Sequence, residues 1–276
     1  MIFANHAHLY PRQLREDGSI DALLRLLDDC GIDKAVAFAP FSYRLRESAL
    51  FHDVDQNEWL AQEIAGCERL VGFGTIDLLE GAAPIRDQVQ KICALGLRGI
   101  KIHPAAQELP IDSEKAFEIY AQAQECGLFL SFHTGLHWHR IRDYRMLLFD
   151  EIAYNFPDLH FSLEHVGGYS FFREALLVMC NNNRDNPHVY AGLTSVEPAA
   201  NGLCGPWSLT NEEIETLIFQ TGENQTIFGL DFPFKKADYI RAAMARIRAL
   251  RISETAKENI LGRTLEKRLF STEGSV

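Results

Sequence analysis

A closed barrel of eight parallel strands alternating with helices, the (β/α)8 or TIM barrel, is the fold class this sequence predicts, and three observations predict it. Strand-length apolar runs recur eight times along 276 residues, with helix-period stretches between them. Side chains able to bind one cation end the first, fifth, sixth and last of these runs, and only closure makes the first and last neighbours. No GxGxxG or phosphate-loop pattern follows the first run, so the main sign of an open doubly wound sheet is missing. No linker or low-complexity tract interrupts the chain, and one domain over residues 1–276 is expected.

The elements follow in order. The first strand, Ile2 to Leu9, carries His6 and His8, and a helical stretch from Ile20 to Cys30 ends at Gly31, where a left-handed cap is wanted. Lys34 to Pro40 is the second strand. A loop rich in arginine and aromatic residues, Phe41 to Asp53, follows it and is long enough to cover a barrel mouth. A helix over Val54 to Gly66 leads to strand three, Leu70 to Asp77, and a helix over Ala83 to Leu95 leads to strand four, Gly99 to Pro104. Alternation puts Lys101 and His103 on one face of that strand. Ser113 opens a helix running to Cys126, and strand five, Leu128 to Gly135, ends near His133. A helix over Arg142 to Phe156 separates it from strand six, Leu159 to Gly168, with His165. Phe172 to Asn181 is helical, Val189 to Ser195 is strand seven, and Thr210 and Glu213 cap a helix over Asn211 to Thr221. Strand eight, Thr226 to Phe232, carries Asp231. The tail, Ser253 to Phe270, reads as one or two helices docking through Ile260, Leu261, Leu265, Leu269 and Phe270.

Composition narrows the function. A formal charge of −11 argues against a nucleic-acid backbone as partner, because such binders present a basic surface. Six cysteines without a CxxC pair read as free thiols, with Cys204 the one kept open as facing a site. No basic-then-apolar leader precedes the first strand, and no apolar run reaches the roughly 18 residues that span a bilayer. A cytoplasmic protein with a small-molecule substrate is therefore expected. Arg140, Arg142 and Arg145, with His137, Trp138 and His139 just before them, form a local basic cluster. It reads either as a solvated helix start or as a clamp for a substrate carboxylate, in which case His137 and Arg140 would touch substrate.

The His6-x-His8 spacing carries the chemistry. Residues two apart on a strand share a face and lie roughly 6 to 7 Å apart along it, so their imidazoles can share one cation. With His133 and Asp231 they make an N3O set suited to zinc, with manganese or iron as alternatives. Gly135, Gly167, Gly168 and Pro233 beside these residues suit tight backbone at a reactive strand end.

Five short motifs, NHAH at 5–8, GIKIHPAAQ at 99–107, FHTG at 132–135, LEHVGG at 163–168 and GLDFPF at 229–234, stand in order at the ends of strands 1, 4, 5, 6 and 8. In these the chain resembles the amidohydrolase superfamily, in the branch of metal-dependent barrel hydrolases and decarboxylases related to aminocarboxymuconate semialdehyde decarboxylase. Asn5 departs from the aspartate common before the first histidine, and Arg263-Thr264 from a common Asn-Ala pair. The resemblance implies His6, His8, His133 and Asp231 as ligands of one divalent ion and His165 as the acid/base or polarising residue. Asp231 would also take a proton from water. Lys101 would contact a substrate carboxylate or the barrel layers, with His103 lining the pocket at the mouth, or, if carboxylated, would bridge a second ion. The expected reaction is hydrolysis of a lactone, amide or ester bearing a carboxylate. Nonoxidative decarboxylation of an aromatic or unsaturated acid is the alternative, and a barrel that binds without turnover is the third reading. Similar proteins are often homodimers, so a dimer is expected.

Overall fold

The computed structural model describes residues 1–198 and 202–270. Eight parallel strands close into a barrel in chain order: β1 (Phe3–His8), β2 (Lys34–Phe38), β3 (Leu70–Thr75), β4 (Gly99–Ile102), β5 (Phe129–His133), β6 (Phe161–Glu164), β7 (Val189–Leu193) and β8 (Thr226–Phe232). β1 pairs with β8, the contact that only closure allows. Each expected strand is present, trimmed at its ends. The largest trimming is at β6, which stops at Glu164 and leaves His165 in a short turn rather than in the strand.

Helices α1 (Ile20–Cys30), α2 (Ser42–Arg46), α3 (Gln56–Glu63), α4 (Ile85–Ala94), α5 (Glu114–Glu125), α6 (Phe149–Asn155), α7 (Gly168–Asn182), α8 (Asn211–Thr221) and α9 (Ala237–Ala249) surround the barrel. Their signals are physical. Gly31 ends α1 at φ 64°, the Ser113 hydroxyl accepts from Ala116 N–H at the start of α5, and Thr210 and Glu213 form a reciprocal capping box on α8. Three segments differ from the sequence reading. The helix expected over Arg142 to Phe156 is two short 3₁₀ turns before α6, because Arg142 and Arg145 are drawn to Asp143 and Asp112. Helix α7 starts at Gly168, directly after the His165 turn. Helix α9, which the sequence reading does not single out, buries Ile240, Ala243, Met244 and Ile247.

The barrel interior is layered. Phe3, Val36, Phe38, Val71, Phe73, Phe129, Tyr190 and Ile227 fill its N-terminal half. Leu265 and Leu269 of α11 (Thr264–Phe270), which follows α10 (Glu254–Glu258) and a π turn, pack on the same cluster. The tail therefore plugs the barrel floor, as its apolar residues implied. Above this layer the interior turns polar: Asn5, Lys101, Ser131, Ser162, Glu164 and Thr194 are all essentially buried. Room for the polar layer comes from two glycines. A Cβ on Gly192 would stand 2.5 Å from Glu164 Oε2, and one on Gly229 would overlap the Thr194 hydroxyl.

Gly192→Ala is therefore expected to push the Glu164 carboxylate out of place. Overpacking of this kind costs about 1–3 kcal/mol, which for a domain this size lowers Tm by several degrees. Thermal unfolding checks it, and an unchanged Tm would show that the carboxylate can yield.

Candidate metal centre

The site is built by backbone bent at strand ends. Five of the seven described non-glycine residues with positive φ are His6, His165, Val166, Ser195 and Asp231, so the strain is concentrated at the barrel mouth. At His6 (φ 67°) the pairing of β1 slips against both β2 and β8. This is a bulge that re-aims the side chain. Simple alternation thus does not describe the HxH pair. The bulge instead brings the two rings to 5.0 Å at 69°, with His6 Nε2 3.1 Å from His8 Nε2. Asp231 (φ 53°) brings its Oδ1 to 3.7 Å from His6 Nε2.

Glu164, which the sequence reading passed over, holds this arrangement. Its Oε1 accepts from Asn5 Nδ2 (2.7 Å) and Ser162 Oγ, and its Oε2 from His6 Nδ1 (2.9 Å) and Thr194 Oγ1 (2.7 Å). Four donors occupy the four lone-pair directions of a carboxylate. The bond to His6 puts that ring's proton on Nδ1 and turns the Nε2 lone pair toward His8 and Asp231. The signal in the sequence was the charged residue just before His165, inside an otherwise apolar strand.

Those electron pairs suit a cation. Two nitrogens on one ion, each at about 2.1 Å, stand roughly 3.0–3.4 Å apart for octahedral to tetrahedral angles, and the His6–His8 separation falls in that interval. His6, His8 and Asp231 present ligand atoms all within 4.8 Å of one another. Burial pushes both imidazoles well below their usual pKa, so they are neutral electron-pair donors. Burial alone would raise the Asp231 carboxyl. The hydrogen bond from the Ser195 hydroxyl and the positive charge of Lys235 act against burial and lower the group.

His133 lies beside this triad rather than in it. Its Nε2 donates to the Gly135 carbonyl (2.7 Å), its ring stacks on His103 at 4.0 Å, and it meets His165 edge-on at 4.7 Å. Ligation through Nε2 requires that ring to turn. His165 is fixed from behind, Nδ1 donating to the Thr194 carbonyl (2.6 Å), and burial lowers its pKa, so a neutral Nε2 lone pair remains. Trp207, on the loop after β7, stacks on His165 (5.1 Å, 22°) and lies near-parallel to His137 (6.0 Å). Gly135 and Gly168 give it room, since a Cβ on either would come within 3 Å of Trp207. Residues 199–201 of this loop lie outside the described residues, and Trp207 near its end walls the site.

The remaining expected residues line the mouth. Lys101 is buried on β4, with its Nζ 5.1 Å from the Phe38 ring centroid. His103 Nδ1 accepts the Ala106 N–H, which leaves the proton on Nε2, 3.4 Å from His137 Nδ1. His103, His137 and His139 also gather within ligand distance of one another, but that proton makes His103 a donor there rather than a ligand. Arg140 is exposed at the rim, in a groove of about 850 Å³ with His139 and Arg142. Arg142 and Arg145 are already paired with Asp143 and Asp112, which favours the solvated reading for those two. Cys204 is exposed, and the described cysteines are free.

A family model described as Amidohydrolase matches residues 6–267. No curated protein sequence matches significantly. Similar solved structures include an uncharacterized TIM-barrel protein from Bordetella bronchiseptica, 19% identical, with a TM-score of 0.74 over 97% of this chain and 98% of that one. A dihydroxybenzoic acid decarboxylase from Polaromonas sp., with bound manganese and the inhibitor 2-nitroresorcinol, is 16% identical, with a TM-score of 0.65 over 97% and 96%. A candidate 2-pyrone-4,6-dicarboxylic acid hydrolase from Pseudomonas putida is 14% identical, with a TM-score of 0.68 over 97% of each chain.

Two outcomes follow from the geometry. Glu164→Gln replaces two acceptor directions with an N–H₂ group facing existing donors. Loss of such a supporting bond is expected to lower metal affinity about 10- to 100-fold, as read by chelator competition. In the metal-free protein, burial holds Lys101 down to about 8 from 10.5, against the pull of Glu164 and Asp231. The folded state then binds fewer protons than the unfolded state between about pH 8 and 10.5, so this lysine's contribution makes stability rise with pH across that window. Denaturant titrations should show that rise in the wild type relative to Lys101→Met, on the order of 3 kcal/mol; parallel pH profiles would refute it.

Proposed function

The chain belongs to the amidohydrolase family, and from that premise we propose that it is a metal-dependent hydrolase of a small, carboxylate-bearing lactone, amide or ester. The observation that carries the reading is the convergence of His6 Nε2, His8 Nε2 and the Asp231 carboxylate, with the His6 tautomer held by Glu164. His133 would complete the set after its ring turns from Gly135. One divalent ion there, zinc first by the ligand chemistry and manganese by the Polaromonas neighbour, would lower the pKa of water toward about 7 and polarise a carbonyl.

The chain's own residues supply the rest. Ser195 donates to Asp231 Oδ2, which leaves Oδ1 to take the proton of an attacking water. His165 presents a neutral Nε2. It would take up the proton that Asp231 removes from water and pass it to the leaving group, while the Thr194 carbonyl stabilises its charged form. Trp207 covers one side of His165 and limits water there.

Decarboxylation is the second reading, and the ring lining favours it. Phe38, Trp207, Phe234 and His137 stand around the His6, His8 and His165 imidazoles, a wall suited to a planar aromatic acid. A proton drawn from water by His165 Nε2 would then replace the departing carbon dioxide on the ring carbon.

Metal analysis of protein purified without chelator or histidine tag is expected to give about one ion per chain. Two would instead promote Lys101 to a carboxylated bridge, and none after incubation with zinc or manganese would remove the metal mechanism. Oxygen-18 from water in the product acid marks hydrolysis, and released carbon dioxide marks decarboxylation. On whichever substrate turns over, His165→Gln is expected to keep its metal and lose about 100-fold or more in kcat, whereas Asp231→Asn loses both; equal loss of metal and turnover in His165→Gln would end the division of roles.

A further inference from the structure

Lys101 is a buried cation that feels Glu164 and Asp231 at a distance but makes no hydrogen bond among the described residues. It is 1% exposed, and its Nζ finds no hydrogen-bond partner among the described residues. Its Nζ stands 5.1 Å from the centroid of the Phe38 ring, and that ring also packs on His6 and His8 at 5.1 and 5.3 Å. The ammonium therefore stands beside the candidate metal centre. Glu164 cannot answer it, because four donors already fill that carboxylate. Asp231 is engaged by Ser195 and faces His6.

A second orphan lies next to it. Strand pairing sets Lys101 directly opposite Ser131, which places both side chains on the same, inner face of the barrel. The Ser131 hydroxyl is fully buried and likewise lacks a partner among the described residues. A buried ammonium and a buried hydroxyl, adjacent and unmatched, are costly unless something accepts from both. The charge count points the same way. With Glu164 and Asp231 as carboxylates, Lys101 as ammonium and the histidines neutral, a divalent ion would leave the centre with one net positive charge.

We propose that Lys101, with Ser131 beside it, is the anion-recognition element of this site and restricts it to substrates that place a carboxylate against the Lys101 ammonium. This rests on the metal-centre reading above and adds to it the residue that selects substrate charge. Lys101 acts here as an unmodified amine, a donor of charge-assisted hydrogen bonds, and not as a metal bridge. A neutral amide of the same shape would leave the ammonium unanswered and bind weakly.

The test uses the zinc-loaded full chain with benzoate and benzamide as probes, by isothermal titration calorimetry. Wild type is expected to prefer benzoate over benzamide by roughly tenfold or more, the range of a hydrogen bond to a charged group. Lys101→Met should erase that preference and still hold one zinc. Lys101→Arg should retain part of it, and Lys101→Gln serves if the methionine variant does not fold. Undiminished preference for benzoate in the neutral variants overturns the proposal, as does failure of the zinc-loaded wild type to bind benzoate. Loss of zinc in both Lys101→Met and Lys101→Gln also overturns it, because the lysine would then belong to the metal set. Failure of the wild type itself to bind zinc strikes the metal-centre reading, and benzoate titration of the metal-free wild type and Lys101→Met then decides on Lys101 separately.

Discussion

Everything at the barrel mouth depends on one buried carboxylate. Glu164 ends β6 inside the barrel and accepts from Asn5 and His6 on β1, from Ser162 on its own strand and from Thr194 just past β7. Those bonds tie three strands together at one point. A buried carboxylate is tolerated only when paired or fully hydrogen-bonded, so its surroundings are constrained in turn. Gly192 and Gly229 leave the space that Glu164 and Thr194 fill, and Asn5 replaces a possible acid with a donor. The departure at Asn5 is thus consistent with a role behind the site, next to but outside the ligand set.

Thr194 extends that constraint to the other half of the site. Its hydroxyl donates to Glu164, which holds the His6 tautomer, and its carbonyl accepts from His165 Nδ1, so one residue links the supports of two imidazoles. The strained backbone at His6, His165, Ser195 and Asp231 has the same origin. Regular pleat would aim these side chains along the strands, and the bulge and turns point them at one another. The aromatic layer below is what makes such strain sustainable. Phe3, Phe73 and Phe129 fill the floor, the C-terminal Leu265 and Leu269 close it, and Phe38 carries the apolar packing up to His6 and His8, so the polar layer rests on a packed base.

A good deal of this was legible beforehand. Strand and helix order follow from apolar runs of two periods, and the caps at Gly31, Ser113 and Thr210 follow from local backbone chemistry. The barrel follows from the order of His6, His8, His133, His165 and Asp231. Two of the departures from that reading have separate causes. The segment after Arg142 carries helical spacing, yet ion pairs with distant Asp112 and neighbouring Asp143 compete with it. Strand β6 looks longer in sequence because His165 and Val166 continue an apolar pattern, whereas their backbone has already turned left-handed.

By itself the sequence determined which residue types line the mouth and in what order, because that order is written in strand periodicity. Only the tertiary structure decided how they act. It showed that Glu164 orients His6, that His133 faces Gly135 and not the triad, that Trp207 walls His165, and that the Lys101 ammonium lacks a hydrogen-bond partner among the described residues. The reason is geometric: hydrogen-bond saturation, tautomer and ring facing depend on which side chains the bent strand ends bring together, as with His6 and Glu164, 158 positions apart, and no local pattern in a chain encodes which of those contacts close.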